Sequence, residues 1–326
     1  MTTTSTTTVP TVRGPVAADQ LGQVLAHEHV FVRSEEILRN YPHLWDEPAR
    51  VADAVARLQT MVDRGVRTIV DPTVIGLGRD VERVARVNAQ VHLNIVVATG
   101  VYTYDSVPFF FSQYGPGTLL GGDDPMVELF VRDITDGIAD TGIRAGMLKC
   151  AIETELTVGV ERVLVAVAAA HRATGTPITV HTSPGHGTGA VALDVLEREG
   201  VDLCRVVLGH SGDSDDVDAL RGLADRGAIL GMDRFGLDVL LPTDRRVATI
   251  AALAAAGYAD RMVVAHDASC RIDWFAPETL AALAPNWHFT FIHDEVLPAL
   301  RAAGVTAEQV TTMLVDVPRR HLAGGL

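Results

Sequence analysis

"AGMLKCAI", residues 145–152, is an apolar run with a single charged residue, Lys149, near its middle. Of the 27 lysine and arginine residues in the chain, this is the only lysine. A GC-rich coding bias would deplete lysine everywhere, so it accounts for the scarcity but not for the position of the survivor. The run is too short for a helix of ordinary length and shows little polar alternation. Such runs suit strands of a parallel sheet that is covered on both faces.

Seven more runs of this kind flank it. They are "GQVLAHEHVFV" (22–32), "RTIVDPTV" (67–74), "LNIVVATGVY" (93–102), "PITVHT" (177–182), "RVVLGH" (205–210), "AILGMDRFG" (228–236) and "RMVVAHDAS" (261–269). Amphipathic segments lie between them. Val51, Val55, Leu58 and Val62 form one apolar stripe, followed by Gly65. Val160, Val163, Leu164 and Val167 form another within 159–174, followed by Gly175. Both glycines stand where a helix end favours a left-handed residue. The segment 213–226 opens on "DSDD", an N-cap with first-turn acids, and "TAEQ" (306–309) reads as a capping box. Eight strands alternating with helices predict a (β/α)8 barrel, a TIM barrel, forming a single domain over residues 13–326. An open doubly wound sheet is disfavoured because no glycine-rich phosphate fingerprint follows the first strand. Residues 1–12 are expected to be a disordered, threonine-rich tail.

Composition narrows the function. Net charge is −14 and the pI about 5.2, which argues against a nucleic-acid partner. Hydrophobic residues make up 48 %, enough for a large core. The cysteines, Cys150, Cys204 and Cys270, form no disulfide framework and fit a reducing compartment. The amino terminus lacks the pattern of a signal peptide, and no apolar run is long enough to span a membrane. The expected location is the cytoplasm.

The chemistry gathers at the strand ends. In "HEH", His27 and His29 share one face of the first strand and Glu28 takes the other. The fourth, fifth, sixth and eighth runs end at or near Lys149, His181, His210 and Asp267. In a barrel these ends meet at one mouth. Neutral imidazoles and a carboxylate are ligands for Zn, Co, Mn or Fe, and the set exceeds one tetrahedral site. Two divalent metals, Zn foremost, are therefore expected. Lysine, unlike arginine, loses its proton when buried, and the free amine can take up carbon dioxide as a carbamate that bridges two metals. The segment 270–293, with Trp274 and Trp287, follows the eighth strand and is expected to form a wall of the substrate site.

The motifs "AHEHV", "GMLKCA", "VHTS", "GHSGDSDD", "GMDRFGLD" and "HDAS" occur in order. With "NWHFTFI" and "VDVPRR", they make the chain similar to the phosphotriesterase-like lactonases of the amidohydrolase superfamily, over nearly all of it after residue 13. This resemblance implies a binuclear metallohydrolase. His27, His29 and Asp267 would hold the inner metal, His181 and His210 the outer one. Lys149, carboxylated on its side-chain nitrogen, would bridge them together with a hydroxide that attacks the substrate. Asp267 would take up the proton. Tyr102 would lie beside the metal pair, and Arg234 at the mouth would orient substrate or leaving group; an ion pair with Asp233 or Asp238 is the alternative for Arg234. Trp274 is expected against an acyl chain. The short segment "LDVLLPTDRR" (237–246) favours the lactonase branch, with N-acyl homoserine lactones as candidate substrates and organophosphate triesters as slower ones. A homodimer is also implied. The alternatives are a dedicated phosphotriesterase or carboxylesterase of the superfamily, or a non-catalytic barrel with a binding role.

Overall fold

The computed structural model describes residues 7–324. Its centre is an eight-stranded parallel sheet in sequential order. The strands are β1 (Gln23–Leu25), β2 (Val66–Asp71), β3 (Asn94–Gly100), β4 (Met147–Ala151), β5 (Ile178–His181), β6 (Val206–Gly209), β7 (Ile229–Met232) and β8 (Met262–Val264). Seven fall inside one of the eight apolar runs and β2 starts one residue before its run, at Val66; the architecture is the expected (β/α)8 barrel. The sheet closes through Ala26 N to Val264 O (3.3 Å), Asp267 N to His27 O (3.0 Å) and His29 N to Ala268 O (2.8 Å).

The first run is not one continuous strand. It breaks at Ala26–Glu28 and resumes as His29–Val32, which pairs in parallel with Ser269–Ile272. "HEH" thus sits at a bend where the seam closes, and Glu28 turns outward to be buried against His266 and Ala268. Residues 270–293 are likewise more regular than a loop: they include all but the first residue of that paired strand and the helix Pro277–Leu283.

The helices follow their signals. Helix α1 (Glu47–Val62) is capped by Asp46, whose side chain accepts from Ala49 N at 3.2 Å. Helix α2 (Val158–Thr174) ends on Gly175 at φ 72°, and Thr306 with Gln309 makes the capping box. The helix after β6 is shorter than "DSDD" implied. It covers Val217–Asp225 with Asp216 as its cap, which frees Asp213 for another role. On β4 the side chains alternate: Leu148 and Cys150 pack outward against Val160, Val163 and Leu164 of α2, and Met147 joins the barrel interior. Lys149 therefore faces inward.

The lower end of the barrel is plugged by both chain ends. Val9, in a short hairpin of Thr8–Val9 with Val16–Ala17, is fully buried with Leu322 and interior residues of β1 to β4. This corrects the expected disordered tail for residues 7–12; residues 1–6 lie outside the described residues. In the C-terminal helix, His321 is 5 % exposed and neither ring nitrogen has a hydrogen-bond partner. Burial, reinforced by Arg205, His171 and Arg320, pushes its pKa from 6.5 down to about 3. The unfolded chain then binds a proton that the folded chain refuses, so stability is complete above pH 6.5 and falls as the pH drops toward 3. A group so displaced costs about 1.4 kcal/mol per pH unit within that window. Between pH 7 and pH 5, wild type is expected to lose about 2 kcal/mol more stability than His321→Leu in denaturant titrations. An equal loss in both would count against this assignment.

Candidate metal-dependent active site

Six side chains from five barrel elements meet at the upper mouth. His27 Nε2 lies 3.3 Å from Lys149 Nζ and 3.4 Å from Asp267 Oδ1. His29 Nε2 is also 3.4 Å from Asp267 Oδ1. His210 Nε2 faces His181 Nδ1 at 2.7 Å. One ligand atom from each of His27, His210 and Asp267 falls within 4.8 Å of the others. The sequence-predicted set is thus brought together as one floor.

Three residues of this mouth adopt the left-handed backbone region that non-glycine residues rarely visit: His210 (φ 67°), Arg234 (φ 62°) and Asp267 (φ 54°). Each stands just past the end of β6, β7 or β8. Such conformations are costly and concentrate where a side chain must be aimed against the preference of its backbone. Space is cleared as well. A Cβ on Gly209 would come within 3.1 Å of Val180 O and 3.3 Å of the His27 ring.

The outer nitrogens of the imidazoles are engaged behind the floor. Asp233, buried beneath it, accepts from His210 Nδ1 at 2.9 Å and lies 3.1 Å from His27 Nδ1 without the alignment of a full hydrogen bond. His29 Nδ1 contacts Thr73 Oγ1 at 2.7 Å, and that hydroxyl donates to Asp71. His181 Nε2 is hydrogen-bonded to Glu153. With His210 Nδ1–H and His181 Nε2–H both donating outward, the nitrogens that face each other at 2.7 Å are two bare lone pairs. That contact is repulsive unless a cation shares it. His29 Nε2 differs: it faces Asp267 Oδ1 at 3.4 Å as an ion pair of a ring that a cation would have to deprotonate. The donor set therefore fits divalent metals, with nitrogen and carboxylate ligands whose second nitrogens are held by carboxylates and a hydroxyl.

Electrostatics agree at three of the four imidazoles. Burial pushes His181 down to about 4 and His210 well below its usual range, which keeps both neutral. Burial, with Lys149 adding to it, also lowers His27. Burial opposes protonation of His29, but Asp267 and Asp71 outweigh it and hold the ring at about 9. Burial lowers Lys149 from 10.5 to about 8, although Asp267 and Asp233 pull the other way. Burial works to raise Asp267, but His27, His210, His29 and Arg234 hold it well below the usual carboxylate range.

Above the floor is a cavity of about 440 Å³. Tyr102, Tyr104, Glu153 and Arg234 line its polar side, and Leu237, Leu240, Trp274, Phe275, Leu283 and Trp287 are among its apolar walls. Arg234 does not pair with Asp233 or Asp238. Its Nε donates to Asp267 Oδ2 (3.0 Å) and its Nη1 to Asp213 Oδ2 (2.8 Å). Tyr102 meets the His181 ring edge-on and shares a hydroxyl contact with Tyr104. Sequence reasoning did not single out Glu153, Tyr104 or the Asp71–Thr73 pair, and it gave Asp233 and Asp213 other roles, as an alternative partner of Arg234 and as part of a helix cap. Asp233 and Asp213 lie inside quoted motifs, but nothing in their spacing shows which histidine or arginine they face.

Known proteins resemble this chain closely. The phosphotriesterase homology protein of Mycobacterium tuberculosis (strain CDC 1551 / Oshkosh) is 55% identical over 312 residues, 95% of this chain and 96% of that protein. The aryldialkylphosphatase of Saccharolobus solfataricus is 37% identical over 311 residues, covering 94% and 97%. The solved structure of the phosphotriesterase from Mycobacterium tuberculosis matches with a TM-score of 0.95 at 54% identity, over 97% of this chain and 98% of that one. Barrel, floor and relatives together define a metal-dependent enzyme that hydrolyses ester bonds. A model of the phosphotriesterase family matches residues 7–322, and the chain belongs to that family.

Gly209→Ala tests the geometry of the floor. The added methyl is expected to push the His27 ring by a few tenths of an ångström and to lower kcat/KM for ester hydrolysis by up to about 10-fold, less than the roughly 10²-fold of a 1 Å misplacement. Circular dichroism should show the barrel retained. Unchanged turnover would count against the tight fit at β6.

Proposed function

We propose that this enzyme opens lactones, with N-acyl homoserine lactones as candidate substrates and organophosphate triesters turned over more slowly. The observation that carries the reading is the pairing of a polar, ligand-rich floor with an apolar cavity whose walls come from the short segment after β7 and from 270–293. A small oxygen ester can lie on the floor while an acyl chain lies along Leu237, Leu240, Trp274 and Phe275.

His27, His29 and Asp267 would hold one divalent metal, His181 and His210 a second, with Zn the foremost choice and Co, Mn or Fe the others. Lys149 would join them as N6-carboxylysine: with its pKa down at about 8, it carries a free-amine fraction at neutral pH that can take up carbon dioxide. The metal pair, when bound, supplies positive charge that polarises a carbonyl and acidifies water. The protein's own groups do the rest. Asp267, held ionised, is placed to accept a proton and pass it toward the leaving alkoxide. Arg234 keeps that carboxylate aimed and faces the cavity, where it can orient the lactone. Burial raises the Tyr102 hydroxyl far above its usual range, so it stays protonated and can donate to the developing oxyanion. Trp274 closes the outer wall.

Dedicated phosphotriester hydrolysis is the second reading, supported by the relative named aryldialkylphosphatase. A cytoplasmic setting is supported by three free cysteines. A homodimer is supported by Phe109, Phe110, Leu119 and Leu120, all exposed between β3 and β4. Among the described residues no helix is long and apolar enough to cross a membrane.

A panel of N-acyl homoserine lactones, γ- and δ-lactones and paraoxon separates these readings: lactones are expected to give the highest kcat/KM. Strong triester turnover with no lactone opening would overturn the preferred substrate. For the lysine, Lys149→Arg should lose bound metal and turnover together, because arginine cannot form the carbamate. Lys149→Ala should regain part of its activity with added formate or acetate. Full activity in Lys149→Arg would refute the bridging role.

A further inference from the structure

We propose that Glu153 is the positioning residue of the outer half of the site, fixing the His181 tautomer and thereby setting the affinity of the outer cation. The proposal rests on the two-cation reading above. Glu153 stands two residues past the end of β4 and four past Lys149. One strand end thus supplies Lys149 to the floor and Glu153 to the rim.

The His181 ring is held on several sides. Tyr102 meets it edge-on, Tyr104 lies tilted against it, and His210 packs at 4.3 Å between ring centroids. Its Nε2 has the Glu153 carboxylate as hydrogen-bond partner. A carboxylate can only accept, so the contact places the ring proton on Nε2 and leaves Nδ1 bare toward His210 Nε2. A carboxylate in this position both aims the ring and raises its strength as a ligand.

The four imidazoles are not supported alike. Asp233, behind His27 and His210, is 1 % exposed, and Asp71, behind the Thr73 partner of His29, is 2 % exposed. The side chain of Glu153 is 34 % exposed and lines the cavity. Water and substrate reach this acceptor and not the others. The outer cation is therefore the one held less firmly, and it exchanges first.

The test uses the purified full chain, stripped with a chelator and titrated with Co²⁺ alone. Metal per chain is read by elemental analysis after dialysis, and site filling by visible absorption. Wild type is expected to take up two cations in two steps. In Glu153→Ala the first step should be unchanged and the second weakened 10- to 100-fold, the usual loss when such a supporting partner is removed. Glu153→Gln keeps an acceptor oxygen and should stay within a few-fold of wild type. The unfolding midpoints of the stripped variants should match that of stripped wild type. Two wild-type-like steps in Glu153→Ala would overturn the proposal. So would a Glu153→Gln as weak as Glu153→Ala, since charge and not tautomer would then be acting. A wild-type chain that binds no cation would sink the two-cation reading and this proposal with it.

Discussion

The seam between the first and last strands is the constraint on which the rest depends. Asp267 donates its backbone N–H to the carbonyl of His27, and its carboxylate then reaches His27, His29 and Arg234. The residue that closes the ring of strands is also the hub of the floor. A barrel has no free edge once closed, so the mouth acquires its geometry only when the chain has paired end to end. The kink at Ala26–Glu28 belongs to the same solution. It lets Glu28 turn away from the mouth to bond His266 and Ala268, bracing from behind the segment that carries Asp267.

A buried cluster of like-acting groups is unstable unless something reconciles it. Here lone pairs face lone pairs and an amine sits among imidazoles, all nearly excluded from water. The carboxylates Asp233, Asp71 and Glu153 fix which nitrogens point inward, and the left-handed residues at the ends of β6, β7 and β8 aim the side chains. Such local conflict, tolerated by a well-packed barrel around it, is the usual mark of a site shaped for a ligand rather than for stability.

The barrel was legible because its strands are unbroken apolar runs. Residues buried on both faces carry a signal that survives without context, and every strand overlaps such a run, β2 alone starting one residue early. The floor was legible too, since each of its groups is a polar residue set in an apolar run, and His181, His210 and Asp267 stand at or near the run's end. The supporting residues were not. Asp213 read as helix-capping chemistry because Asp, Ser, Asp, Asp is ordinary capping sequence; it binds Arg234 and Arg246 instead. Asp233 and Glu153 act across strands, and pairing between strands 20 or more residues apart leaves no mark on local pattern. The kink in the first strand was hidden for the same reason, because its cause is the closing of the seam.

The alternation along β4 has a consequence for how faithfully the chain must fold. Met147 and Lys149 point inward; Leu148 and Cys150 point toward α2. A slip of one residue would leave the strand hydrogen-bonded and apolar but exchange the two faces. A thiol would then occupy the mouth, and an ammonium would be pressed into the helix layer. The outward seats of Leu148 and Cys150 against Val160, Val163 and Leu164 thus proofread the placement of an amine they never touch.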